Sequence, residues 1–202
     1  MEIIKTKIAP AIETSRKCDI KVVYAPGPEI AHKYSQFIPQ LVKSTYEEAN
    51  LPEDDSDNWP PPEFVARTGK YSEYYTRWGR EPVFLRKNFN ELDIPEIIHP
   101  KSGDFVVATG NQLQKLLAHY KILRLFYCGF YTNMCIQLRD YGVRAFSTFG
   151  RGYNIIILRD AITATEFHDT VNSLLAAKMT IREIEMMHGF SCSTEDFIKS
   201  MQ

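Results

Sequence analysis

Few side chains in this 202-residue chain are placed where they could do chemistry, and one thiol stands apart. In "LFYCGFYTNMCIQLRDYG", residues 125–142, an apolar run breaks at Gly129 and restarts as a helical pattern with Cys135 in its opening turn. A thiol there faces unpaired backbone N–H groups and the positive end of a helix dipole, which favour the thiolate. The same N–H groups could hold an oxyanion. The chemistry would be nucleophilic attack on an electrophilic carbon. The competing reading is a small buried hydrophobe, the usual fate of a free cysteine. His168 beside Asp169 could pass a proton, but the position reads equally as the start of a helix capped by Asp169 or Thr170. His188, just ahead of Gly189, reads as a helix end. The stretch "KYSEYYTRWGR" could stack on nucleic acid. Tyr, Trp and Arg together fit a pocket wall or an oligomer contact better.

The elements that must position these residues follow from periodicity. Apolar runs predict strands at 20–25, 104–108, 123–129, 153–159 and about 190–193, all parallel. Helical spacing predicts helices over Lys5–Lys17, begun at Pro10, and near 30–48. Further helices are expected over 111–120, over 133–142 with Met134, Leu138 and Tyr141 inward, and over 169–189. Alternating strands and helices imply one α/β domain over residues 1–202, a doubly wound, mostly parallel sheet with helices on both faces. Residues about 27–95 hold most of the prolines and read as an irregular insertion, of the kind that forms lids, pocket walls or subunit contacts. In such sheets functional groups collect at the carboxyl ends of strands. Pro26, Gly27, Ala108, Thr109, Asp160 and the Gly129–Cys135 elbow all fall there.

Composition removes other classes. A net charge of −1 gives no field to draw nucleic acid or an anionic membrane surface. No apolar stretch approaches a membrane span, and prolines and charges interrupt any signal-like start. Four cysteines without a CxxC pair suit free thiols in a reducing compartment. A cytoplasmic protein with a small-molecule substrate is expected, with neither nucleic acid nor membrane as partner. Prolines, tyrosines, Trp59 and Trp78 without core periodicity predict a homo-oligomer contact within residues 59–90.

The run "YCGFYTNMCIQLRDYGVRAFSTFGRGYNIIILRDAITATE" resembles the core of the isochorismatase-like cysteine hydrolases, the superfamily of nicotinamidases, carbamoylsarcosine amidohydrolases and isochorismatases. The shared pattern is an apolar strand, Gly129, Thr132, Asn133 and Cys135, then a second apolar strand ending in Asp160 and Ala161. The resemblance implies hydrolysis of a small amide or related C–N bond, with Cys135 as nucleophile and no cofactor. It implies a cis peptide between Phe130 and Tyr131 that turns the N–H groups of Tyr131 and Cys135 toward one oxyanion site. It also puts Thr109, Thr132 and Asn133 at the pocket. His32 with Glu29 lies where nicotinamidases hold a metal, but a second histidine is missing, so no metal site is expected.

Two family side chains have no counterpart. The family lysine position falls on Thr109. Lys101 precedes its strand, and about five residues at roughly 3.3 Å each put it at the opposite edge. The family's first strand, carrying an aspartate, should precede the first helix, where this chain begins. By the family's strand order that strand is central. An empty slot would orphan two rows of backbone groups at about 1–3 kcal/mol for each buried one. Either "IKVVYA" therefore closes up against "LRLFYCGF", or a strand from another chain fills the space, or the protein starts further upstream. The alternative to an enzyme is a catalytically incomplete relative that serves as a binding or scaffold protein.

Overall fold

The computed structural model describes residues 2–46, 61, 63, 68–70 and 92–201. The chain divides into two compact units, Met1–Tyr46 with Ile94–Gln202 and, separately, Glu47–Asp93. The sheet and its helices lie in the first. The contact expected within residues 59–90 falls almost wholly outside the described residues.

The first helix starts before Pro10. Ile4–Ile8 form a wide π-type turn that runs into α1, Ala9–Lys17. Pro10 then occupies the opening turn of α1, directly after the wider turn. Strand β1, Val23–Tyr24, is shorter than its apolar run, and α2, Pro28–Lys33, opens on a proline behind Gly27. The helix expected near 30–48 is instead α2 followed by short 3₁₀ turns at Ser35–Phe37 and Gln40–Tyr46, with Pro39 between them.

The second half is more regular. It contains β2 (Phe105–Val106), α3 (Gly110–Tyr120), β3 (Arg124–Gly129), α4 (Val143–Phe146), β4 (Asn154–Ile162), α5 (Leu175–Met187), β5 (Gly189–Cys192) and α6 (Thr194–Ser200). Among the described residues every strand pairing is parallel, and the expected α/β class is the one observed. Helix α6 escaped the sequence reading, although Ser193 and Asp196 build a capping box for it.

Two expected helices are corrected. Residues 133–142 do not form one helix: the π-type turn at Thr132–Ile136 continues helically only through Leu138, and after a break a new helix starts at α4. Its inward residues are Ile136, Gln137 and Tyr141, while Met134 and Leu138 stay exposed. Helix α5 begins at Leu175, because Leu174 takes a left-handed conformation (φ 52°) and the Glu166 carboxylate accepts the N–H groups of Ala176 and Ala177 at 3.0 and 2.9 Å. Thr170 caps a turn, not this helix.

Two apolar clusters sandwich the strands. One joins Ile8 and Ile12 of the first helix to Val106, Leu158 and Phe197, with Val22, Tyr24 and Cys128 against them. The other joins Leu116 and Leu117 of α3, Phe146 of α4 and Ile184 of α5 to Val107, Ile155 and Ile157, with Val23, Leu125 and Tyr127 against them. All five strands therefore belong to one layer between two layers of helices. Yet that layer is in two pieces, β1–β2 and β3–β4–β5. Of the three alternatives, closure of β1 on β3 is not seen: among the described residues no ladder joins them. Each is held elsewhere: β1 by the β2 ladder and by Arg16 on the Tyr24 hydroxyl, β3 by the β4 ladder.

The amino edge is fixed by charge. The Arg16 guanidinium binds Asp104 at 2.6 Å and 3.3 Å and Glu13 at 2.6 Å, and Lys101 reaches Glu13 at 2.8 Å. Asp104, 6% exposed, also accepts the Lys101 N–H at 2.8 Å. Removing one partner of such a pair leaves a charge short of water and of its counterion. Asp104→Ala should cost about 3 kcal/mol and lower Tm by roughly 8 °C, measured by calorimetry. A shift within 1–2 °C, about 0.5 kcal/mol, would mean that the pair is solvated.

Candidate active site

The turn that presents Cys135 starts with a backbone requirement. Gly129 ends β3 at φ 120°, a conformation that side-chain-bearing residues rarely adopt. The next peptide bond but one, Phe130–Tyr131, is cis. The chain then enters the π-type turn at Thr132–Ile136 with Cys135, half-buried, near its end. Phe130 and Tyr131 are 39% and 46% exposed, so they rim the elbow instead of filling a core.

Thr132 and Asn133 turn out to hold the elbow in place. The Thr132 N–H and hydroxyl both donate to the Thr163 carbonyl, at 2.7 and 2.6 Å. The Asn133 side-chain amide donates to the Thr165 carbonyl at 3.0 Å and accepts its N–H at 2.9 Å. The elbow is thereby clipped to the segment that leaves β4. Farther along, Gln137 accepts from Arg144 at 2.8 Å and donates to Glu183 at 3.3 Å, tying the turn to α5.

Sequence reasoning passed over Arg139. Its N–H donates to the Cys135 carbonyl at 3.3 Å, which sets the two residues one turn apart, and its guanidinium stands beside the Cys135 thiol, Tyr141 and Glu29. Its Nη2 lies 3.8 Å, and Glu29 Oε2 3.0 Å, from the point where a Cβ on Gly27 would sit. The i, i+4 spacing from Cys135 was the available signal. Tyr141 closes the group: its hydroxyl donates to the Pro26 carbonyl at 2.9 Å, and its carbonyl accepts from Tyr127 at 2.9 Å. Burial pushes the Tyr141 phenol up to about 12, so it stays protonated as a donor. A thiol, a guanidinium, a carboxylate and a phenol therefore meet at the carboxyl edge, beside the break between the two sheet pieces.

Thr109 is the N-cap of α3, accepting the Gln112 N–H at 3.2 Å. Next to it, Gly110 has no room for a Cβ, which would stand 2.2 Å from the Asp140 carbonyl oxygen. Gln112 is fully buried, and its side-chain oxygen is fixed by the Ala108 N–H at 2.6 Å. It lines a cavity of about 330 Å³ with His32, Ser35, Gln36, Ile38 and Lys43. Lys101 sits at the amino edge, as its place before β2 requires. His168 and Asp169 lie exposed in the turns ahead of α5, and His188 is buried at its end, with Nδ1 3.0 Å from the Ser147 hydroxyl. Among the described residues no group of three or more His, Cys, Asp or Glu could hold a metal ion. No helix of the described residues is long and apolar enough to cross a membrane.

No protein-family model matches the sequence, and no curated protein matches it. Among solved structures the chain is similar to a cysteine hydrolase from Pseudomonas syringae pv. phaseolicola, 16% identical, with a TM-score of 0.55 over 96% of this chain and 79% of that one. It is also similar to an isochorismatase-like hydrolase from Alkaliphilus metalliredigens, 14% identical, with a TM-score of 0.41 over 55% of this chain and 58% of that one. The first likeness establishes a shared fold, and it is the fold that the isochorismatase-like resemblance implied.

Asp160, near the end of β4, gives the fold a pH dependence. Its carboxylate accepts the N–H and hydroxyl of Thr194 at 2.7 and 2.9 Å and pairs with Lys7 at 2.8 Å. Burial pushes its titration up, but Lys7 and Thr194 outweigh it and hold the carboxyl below the usual carboxylate range. A carboxylate lowered on folding stabilises above its unfolded pKa and loses that contribution as pH falls through the folded one. Asp160→Asn should cost about 1 kcal/mol at pH 7, since the pair is partly exposed. The gap to the parent should begin to narrow as pH falls below about 3.9, the unfolded value, and close only below the lowered folded one. Denaturant melts across pH check this, and a gap that persists in acid would point to packing instead.

Proposed function

We propose that the chain is a cytoplasmic cysteine hydrolase that acts on a small amide or related C–N substrate, with Cys135 as nucleophile. The observation that carries this reading is the placement of Cys135 one helical turn from Arg139, behind the Gly129 elbow, at the carboxyl edge of the sheet. The Cys135 sulfur would add to the carbonyl carbon, and the Tyr131 N–H, which has no acceptor among the described residues, would take the developing oxyanion. Collapse expels the amine with a proton and leaves a thioester. Water then adds, the acid leaves, and the thiol is restored.

Attack by a thiol can be read without turnover. A small aromatic aldehyde should add reversibly to Cys135 as a thiohemiacetal, visible by carbon NMR of the labelled aldehyde and lost in Cys135→Ala. Adduct formation at Cys18 or Cys192, or an unchanged signal in Cys135→Ala, would remove Cys135 as the nucleophile. Ammonia release from small amides should be slow in this chain, because Thr109 replaces the family lysine and no described carboxylate stands in the place of the family aspartate. Fast release that survives Cys135→Ala would favour other chemistry. Adduct formation with no release on any amide would favour the binding-protein reading.

A homo-oligomer belongs to the same proposal, with its contact within residues 59–90. Light scattering at micromolar concentration should give at least twice the 23.3 kDa of one chain. A value matching one chain would remove this part.

A further inference from the structure

Helix α3 buries one polar side chain among its leucines. Its inward positions are Leu113, Leu116 and Leu117, and Gln112 shares their face, one turn ahead of Leu116. Half of the Gln112 amide is accounted for. The side-chain oxygen accepts the Ala108 N–H at 2.6 Å, across the turn that leads from β2 into the helix. That bond also fixes which way round the amide lies, since a flipped amide would set two donors against each other. The nitrogen, Nε2, is then a buried donor with no hydrogen-bond partner. Among the described residues no other buried side-chain nitrogen or oxygen lacks one. Buried polar groups are nearly always bonded, so this exception calls for an acceptor.

The acceptor has a place to sit. Gln112 borders the cavity of about 330 Å³ that it shares with the 3₁₀ turns after α2. Buried Ile38 and Val42 anchor those turns in the core, and Ser35, Gln36 and Lys43 around them stay exposed. Lys43 is on the cavity wall, and its ammonium makes no ion pair or hydrogen bond among the described residues. No Asp or Glu is among the described residues of the lining, whereas an ammonium, an amide N–H and the Ser35 hydroxyl are. The wall is therefore rich in donors and carries positive charge. Gln36, Ile38 and Lys43 also border a second cavity, of about 610 Å³, which runs past Phe37 and Pro39 to Phe105. Asp104 lies on that one too, but its carboxylate is spent on Arg16 at 2.6 Å. Lys43 thus stands at the junction of a polar recess and one with three apolar side chains.

We propose that this junction is a binding site for a small aryl carboxylate, separate from the Cys135 elbow. One carboxylate oxygen would accept from Gln112 Nε2 and the other from the Lys43 ammonium, while the ring lies on Ile38 toward Phe37 and Phe105. A carboxylate offers two acceptor oxygens and one negative charge, which matches two donors and one positive charge. Phosphate would bring a second charge, for which the described lining has no second permanent cation. The first cavity is at the low end of the size range for ligand sites, so the occupant is a small molecule. None of Gly27, Glu29, Arg139 and Tyr141, the residues around the thiol, lines it. The site therefore stands whether or not Cys135 is a nucleophile.

NMR of the Gln112 side-chain amide, assigned through its own side-chain carbons, tests this with benzoate as the probe. Titrated at constant ionic strength, the two Nε2 protons should shift downfield and saturate, with a Kd on the order of 1 mM. Lys43→Met, a change at an exposed position, should weaken binding about tenfold, the loss of one charge-assisted hydrogen bond. Benzyl alcohol, which has the ring without the charge, should give no saturable shift. Cys135→Ala should bind benzoate as the parent does. Absence of a saturable benzoate shift would overturn the proposal and leave a trapped water as the acceptor. An unchanged Kd in Lys43→Met, or an equal response to benzyl alcohol, would overturn it by removing the charge from recognition. An equal response to inorganic phosphate would overturn the carboxylate assignment, and loss of binding in Cys135→Ala would move the anion to the elbow.

Discussion

Strand β4 hydrogen-bonds along both edges, to β3 on one side and β5 on the other, and most of the fold is placed by that double ladder. Its inward residues Ile155 and Ile157 are fully buried, so the register is fixed by packing as well as by backbone bonds. From it the rest extends. Asp160 near its end holds the amino terminus of α6 and the Lys7 ammonium. Thr163 and Thr165 just beyond grip Thr132 and Asn133, so the position of the thiol is set by where β4 stops. A one-residue slip in β4 would exchange the side chains it gives to the two apolar clusters and displace the elbow with them.

Charge divides between the two edges of the sheet in a way that suits both. At the amino edge Arg16, Asp104, Glu13 and Lys101 neutralise one another and pin the helix to the start of β2. At the carboxyl edge Arg139, Glu29 and the buried phenol of Tyr141 surround a single thiol. The first arrangement consumes its hydrogen-bonding capacity internally. In the second the thiol is half-buried and the Tyr131 N–H has no acceptor among the described residues.

Much of this was legible in the residues. Near-continuous apolar runs such as "YNIIIL" marked buried parallel strands, and the Gly129 break marked the elbow, because both signals are local. What stayed hidden depended on distant partners. The run "IKVVYA" reads as a full strand, but only Val23 and Tyr24 find a ladder, since strand length is decided by what lies alongside. The helix drawn through 133–142 failed because the elbow is tethered at Thr132 and Asn133 and bends before Arg139. The backbone partners of Thr132 and Asn133, Thr163 and Thr165, lie about thirty residues downstream and were hidden for the same reason. Arg139 was visible in spacing alone, one turn after the thiol, and Glu166 was not visible at all, because it caps a helix that begins nine residues later.

The pairing of Val23 with Phe105 has a consequence for synthesis. Strands β3, β4 and β5 follow one another closely along the chain, whereas β1 waits for a partner roughly eighty residues downstream. At the ribosomal pace of about 5–20 residues per second, the nascent "IKVVYA" leaves the exit tunnel several seconds before β2 does. Throughout that interval an apolar strand is solvent-exposed on both edges. Lys21 inside the run and Pro26 directly after it are the kinds of residue that discourage such a segment from pairing with a neighbouring nascent chain.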